Sequence, residues 1–299
     1  MNTGILQAAI AAWMVLATAP CAAARVSNDL AAAVGEMAGF GFGEAHELFD
    51  HALRHAAPGT PAWQQAIFGK AVCAHQFSPS SQRLIEEADT LYRQLLAECP
   101  DSPYAPRATM HLGRMRELGD YYGDAPDLAG ARVLYQQVID RWPTQDIAGE
   151  ALLRIAGTFI QTYDATQAVH GVSLLESWLR THPGEPLAAA MWQYMGGAYL
   201  NPLNNHARAL DCYLEADRHG LLVLGKEWVV YWRIATIADH FVTNRDVAVA
   251  YYSRIITETP NSGKAYESQL ALERLGAPVP PITLYTRGAR DAARAKETP

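Results

Sequence analysis

The chain has 299 residues, of which 49% are hydrophobic and 18% charged, enough apolar material for one large domain or two smaller ones. That composition excludes an intrinsically disordered chain. A net charge of -7 speaks against free association with nucleic acid, which needs a concentrated cationic face.

The first segment reads as an export signal rather than as part of the fold. Ile5 to Ala19 is apolar and uncharged, Pro20 breaks it, and Cys21-Ala22-Ala23-Ala24 supplies small residues before Arg25. The apolar run is shorter than the ~20 residues of a membrane-spanning helix. Residues 1–24 are therefore expected to be removed, leaving an exported, periplasmic protein with no transmembrane helix. Lipid attachment at Cys21 is the less favoured alternative, because Pro20 stands where such signals carry a small flexible residue. Beyond it, Cys73, Cys99 and Cys212 are odd in number and lack CxxC spacing, so they are expected as small buried hydrophobes.

Gly39-Phe40-Gly41-Phe42-Gly43 is read as a turn between helices with two apolar contacts, because it lacks the spacing of a phosphate loop. Glu47, His51 and His55 share one helical face. The pair His46 and His51 is five residues apart, which turns the imidazoles away from each other and argues against chelation. With no GxSxG elbow and carboxylates spread over helix surfaces, no catalytic residue, metal or cofactor is expected.

A repeat then runs along the chain. A small residue is followed by a bulky one four later, an apolar one seven later and a helix stop twelve later. Ala88, Tyr92, Leu95 and Pro100 fit, as do Ala131, Tyr135, Val138 and Pro143. Gly171, Leu175, Trp178 and Pro183 fit, and so do Ala248, Tyr252, Ile255 and Pro260. Two copies, Ala45-Phe49-Ala52 and Ala209-Tyr213-Ala216, lack proline at the stop position. Offsets of four and seven place three side chains on one stripe of a helix. An earlier helix in each pair carries a large residue beside a small one: Phe68-Gly69, Leu112-Gly113, Ile155-Ala156, Met195-Gly196 and Ile234-Ala235.

The opening small residues recur at intervals of 43, 43, 40, 38 and 39. Over roughly residues 28 to 276 this pattern resembles the tetratricopeptide repeat, whose usual period is ~34 residues; the excess is expected in longer turns or longer helices. The resemblance implies an all-α, right-handed superhelical solenoid of about six antiparallel helix pairs. Leu272-Glu273 lacks the small residue, so the last helix is read as a solubilising cap. Residues 277–299 form a proline-containing, basic tail, expected to be mobile.

Pro100-Asp101-Ser102-Pro103-Tyr104-Ala105 and Pro260-Asn261-Ser262-Gly263-Lys264-Ala265 share a proline, a serine two later and an alanine five later. This signature looks like that of bacterial envelope tetratricopeptide proteins, either the Tol-Pal partner type or the outer-membrane assembly lipoprotein type. It implies an adaptor for envelope proteins. The same serines have a local reading as caps of the next helix.

In such a solenoid the first helix of each pair lines the concave side. His111, Arg154, Tyr194 and Arg233 then form one row and Lys70, Arg114, Gly157, Gly197 and Thr236 a neighbouring one, with Arg107 and Tyr231 flanking. This groove is expected to take an acidic peptide segment, since arginine grips carboxylates bidentately and glycine admits a backbone. Rival readings are an exported enzyme or accessory domain acting on cell-wall polymer, and a glycan-binding or small-molecule-binding superhelix using Trp63, Trp192, Trp228 and Trp232.

Overall fold

The computed structural model describes residues 24–119, 125–221 and 226–282. The expected export segment lies outside them except for Ala24, as does the tail beyond residue 282. All regular structure among the described residues is helical. The chain divides into two compact units, residues 1–151 and 152–299, which are taken separately.

Unit 1 contains α1 (24–38), α2 (Phe42–His55), α3 (Pro61–Gln76), α4 (Gln82–Glu98), α5 (Ala105–Leu118), α6 (Leu128–Arg141) and the start of α7 (Asp146–Ile160). Unit 2 contains the rest of α7, then α8 (Ala165–Thr181), α9 (Ala188–Leu200), α10 (His206–Arg218), α11 (Glu227–Ile237), α12 (Arg245–Glu258) and α13 (Ala265–Arg274). In unit 1, α2 to α6 each pack on the next in sequence; in unit 2, α8 to α13 do the same. The even-numbered helices α2 to α12 carry the repeat's small-bulky-apolar stripe.

That stripe is the core. Phe49, Tyr92, Tyr135, Tyr213 and Tyr252 are essentially without solvent exposure, as are Ala45, Ala88, Ala131, Ala209 and Ala248 one turn before them. Trp178 is the exception and is only half-buried. Its indole Nε1 donates to Glu185 Oε2 at 2.6 Å, tying the end of α8 to the chain that follows. The notches work as close contacts, but not all in one direction. Gly113 meets Tyr135 and Gly196 meets Tyr213, each in the following helix, whereas Gly69 meets Phe49 in the preceding one.

The helix stops share one backbone geometry. Cys99, Trp142, His182 and Thr259 each cap a helix with φ between -136° and -128° and ψ between 52° and 71°, and each immediately precedes a proline. The proline ring disfavours helical geometry in the residue before it, so the helix ends there. Two consecutive turns follow: Ser102, Gln145, Glu185 and Ser262 donate their amides to those caps' carbonyls, and Ala105, Ala148, Ala188 and Ala265 donate to theirs. All four alanines are buried, five residues past the proline. The proline and the alanine five later recur at all four joints, whereas the serine is present at only two. These serines do not act as N-caps of the next helix: Ser102 Oγ accepts from Tyr104 N, ahead of α5, and Ser262 Oγ is buried with no partner among the described residues.

The turns into α6, α8, α10 and α12 place an Asp or Asn at the N-cap. Asp127, Asp164, Asn205 and Asn244 each accept from the amide three residues on, at 2.8–3.2 Å. In unit 2 the preceding residue, Tyr163, Asn204 or Thr243, has φ of 47–57°, which reverses the chain within a few residues. The connection from α5 to α6 is longer, residues 119–127, so the excess over the usual repeat length lies partly in that turn, as expected, and partly in the helices and proline joints. The Gly39–Gly43 segment is the expected turn, with Gly41 capping α2, and its two phenylalanine rings meet edge-on at 6.3 Å, but only one of them reaches the core. Phe42 packs against the core, while Phe40 is 82% exposed at φ 63°.

The final helix departs from a purely polar cap. Leu272 is buried as expected, yet Tyr266 and Leu270 are exposed on α13. Cys73 and Cys212 are buried free thiols, and burial pushes both up to about 12.

Candidate binding faces on the first helices of the pairs

In unit 1 the predicted basic residues divide by environment. Lys70 on α3 is tied between Asp50 of α2 at 2.8 Å and Glu87 of α4 at 2.9 Å. Burial works against its charge, but the two carboxylates outweigh that and hold the ammonium above its ordinary range. Lys70 is therefore an internal tie, satisfied within the fold. Arg107 pairs with Glu150 at 3.1 Å across an exposed surface. Arg114 is half-buried beside two histidines and has no carboxylate at ion-pair distance among the described residues.

His111 is not a groove donor standing in solvent. Its ring stacks on Tyr92 with centroids 5.2 Å apart and meets His75 edge-on at 5.6 Å. Burial, then the neighbouring His75 and the Arg107 and Arg114 cations, pushes the His111 imidazole down to about 4.

In unit 2 the predicted rows form a connected strip. The space beside Gly157 of α7 is covered by the ring of Tyr194 of α9, 3.4 Å from where a Cβ would sit. One turn along α9, Gly197 lies under the hydroxyl of Tyr213 at 3.8 Å on the same measure. Arg233 of α11 donates from Nη1 to that hydroxyl at 3.0 Å, with its guanidinium 5.4 Å from the Tyr213 ring centre. Arg233 is exposed and has no carboxylate at ion-pair distance among the described residues. Arg154 is half-buried on α7, one turn before Gly157.

Tyr231 does not flank an open face. It is 5% exposed and belongs to a polar network between α10, α11 and α12. Its hydroxyl donates to Glu258 Oε2 at 3.0 Å and accepts from Arg254 Nη2 at 2.8 Å. Arg254 also pairs with Asp217, which accepts from the Tyr251 hydroxyl at 2.6 Å, and its guanidinium lies 4.1 Å over the Tyr231 ring. Sequence reasoning missed Arg254 and Asp217: Arg254 has Glu258 four residues on, but the pairing of the two with each other and with Tyr231 and Tyr251 joins separate helices and leaves no local signal.

The other candidates resolve individually. His51 Nδ1 is 2.6 Å from Asp29 of α1, and the His55 ring lies against His51 at 4.3 Å, tilted by 36°. Among the described residues no three metal-capable side chains converge. Trp63, Trp192 and Trp232 pack into three different hydrophobic clusters rather than one pocket. None of the described helices is long and apolar enough to cross a membrane.

Paired helices, a small-bulky-apolar stripe buried in every second helix and a recurrent proline joint decide the architecture. The fold is that of tetratricopeptide-repeat proteins. No protein-family model and no curated protein matches the chain, and the likeness lies in three dimensions. Pseudomonas aeruginosa PilF superposes with a TM-score of 0.52 at 15% identity, covering 84% of this chain and 99% of that one. PilW, described as a widely conserved type IV pilus biogenesis factor, gives 0.53 at 16%, covering 81% and 97%. A tetratricopeptide repeat protein from Parabacteroides merdae gives 0.50 at 12%, covering 92% and 99%. In tetratricopeptide terms, the unit 2 strip belongs to the first helices of successive pairs, and the Tyr213 under Arg233 is the bulky residue of a second helix.

Proposed function

We propose that the chain is a non-enzymatic adaptor of the bacterial cell envelope that holds a partner protein by an acidic segment. The segment lies along the first-helix strip of unit 2, across Gly157 and Gly197 and against Arg154, Tyr194 and Arg233. The observation that carries this reading is Arg233. Its cation is exposed and held in position by a hydroxyl and an aromatic face, and its charge is not satisfied by a carboxylate of the described fold. A guanidinium held this way keeps donors available for a carboxylate and loses little side-chain entropy on binding. By contrast, Lys70 and Arg107 spend their charge within unit 1.

The envelope assignment draws on the export-like first segment and on the likeness to PilF and PilW. The partner would be an envelope protein, with no nucleic acid and no cofactor involved. The test is capture from a native envelope extract, with a polyglutamate peptide as competitor and polylysine as control. Wild type should retain a partner that polyglutamate displaces, and Arg154→Glu with Arg233→Glu should lose it at unchanged helicity. Capture that survives the double reversal, or resists polyglutamate, overturns the reading.

A further inference from the structure

Unit 1 holds a feature that its packing alone does not require. His75, near the end of α3, is 4% exposed, and His111 of α5 contacts it edge to face at 5.6 Å. Tyr92 of α4 completes the cluster, stacked parallel to His111 and edge-on to His75 at 6.3 Å. Among the described residues no group reaches His75 Nδ1 or the Tyr92 hydroxyl, although both atoms are buried. Unpaired polar atoms in a packed interior are rare and costly, and two on adjoining rings mark a place where the fold is poised rather than optimised.

The groups facing these rings are Tyr92 from α4, Arg107 and Arg114 from α5, and Cys73 beside Tyr92 from α3 itself. Phe68 of α3 also lies against His111, and no carboxylate is among the groups that act on the two imidazoles. The other histidines of this unit differ: His46 and His51 of α2 meet the carboxylates of Glu87 and Asp29. They lie outside this cluster.

We propose that His75 and His111 form an acid-sensitive clasp between α3 and α5, closed while both rings are neutral and forced open when they take up protons. Two imidazolium rings in contact, beside the Arg114 and Arg107 cations, repel each other, and the buried His75 ring also lacks hydration. The proton affinities agree in direction. Burial and then Arg114 push His75 down to about 4, and His111 falls to the same value. An unfolded imidazole titrates near ~6.5, so between ~6.5 and ~4 the open chain binds more protons than the closed one. Stability of the clasp is complete above that window and is lost as pH falls through it. This inference is independent of the partner-binding reading, which concerns unit 2.

Amide hydrogen exchange on the full chain at pH 7 and pH 5, corrected for intrinsic rates, tests the proposal locally. Protection in peptides of α3 and α5 should fall at pH 5 by about tenfold or more relative to peptides of α10 to α12. His75→Gln with His111→Phe, which keeps an aromatic ring against Tyr92, should remove that difference. An equal fall across all helices, or an unchanged effect in the double variant, overturns it. Should the variant not fold, histidine NMR of the wild-type chain decides. Two imidazoles must remain neutral at pH 5 in the folded state, and ordinary titration of every ring near ~6.5 refutes the clasp.

Discussion

A methyl group placed on Gly113 would lie 2.4 Å from Cε1 of Tyr135. The glycine exists so that α5 can rest on the ring of α6, whose hydroxyl in turn donates to the buried Glu117 at 2.6 Å. Gly113→Ala should therefore destabilise the chain by about 1–3 kcal/mol, because ring and helix must shift together. Gly197→Ala is the matched control, since its nearest neighbour is the Tyr213 hydroxyl at 3.8 Å. Alanine's better helix propensity, worth about 1 kcal/mol, should leave that variant neutral or more stable. Urea unfolding of both separates packing from propensity.

The N-caps of α8 and α12 offer a second measurement. Asp164 accepts from Gln167 N at 2.8 Å and Asn244 from Val247 N at 3.2 Å. Each follows a residue in the left-handed region, so the cap also fixes the reversal. Asp164→Ala and Asn244→Ala should each cost about 1 kcal/mol, visible as a lowered urea midpoint with the slope unchanged.

Ion pairs in this molecule should differ by environment rather than by distance. Asp217 is largely buried between the Arg254 guanidinium and the Tyr251 hydroxyl. Asp217→Ala removes one of the two counter-charges of Arg254, leaving Glu258, and deprives the half-buried Tyr251 hydroxyl of its acceptor, so a loss of about 2 kcal/mol is expected. Asp89, which pairs with Arg93 at 2.6 Å on the surface of α4, has a shorter contact than many. Asp89→Ala should nonetheless cost under about 1 kcal/mol and become silent in high salt. Equal losses for the two would contradict the distinction.

Lys70 gives a pH-dependent prediction. Its hydrogen bond is the main cause that holds the Asp50 carboxyl below its ordinary range. Burial would raise Glu87, but the hydrogen bond and charge of Lys70 bring it below its ordinary range as well. Stability from these two carboxylates is present above their unfolded values, near ~4, and is lost as pH falls through the lower folded ones. Lys70→Met should be destabilising at pH 7, where the two carboxylates lose the charge between them and keep only Arg54 on Asp50 and His46 and Arg83 on Glu87. The gap to wild type should shrink toward pH 3 as both become neutral; a pH-independent gap would show that Lys70 acts by packing alone.

Much of the architecture was legible because it depends on spacing within single helices. Tyr92, Tyr135, Tyr213 and Tyr252 could be placed in the core from offsets of four and seven, and all are buried. The site was less legible because charge satisfaction depends on which helices lie side by side. Lys70 and Arg233 occupy related rows in the repeat, yet one is enclosed by Asp50 and Glu87 and the other faces no carboxylate. Nothing within their own helices distinguishes them. The π-helical turn Ala238–Val242 was likewise unannounced, as it contains neither proline nor glycine. Direction of packing also escaped prediction: Gly69 notches backward onto Phe49, while Gly113 notches forward.

The four proline joints share one backbone path but have only the proline and the alanine five residues later in common. One residue halts a helix, the other fills a small buried slot, and the four positions between them are free to drift. An ancestral copy could diverge almost wholly while its joints kept their geometry. Shape in this molecule thus depends on a few sparse anchor points, which accounts for a fold shared with solved structures at 12–16% identity where no family model matches.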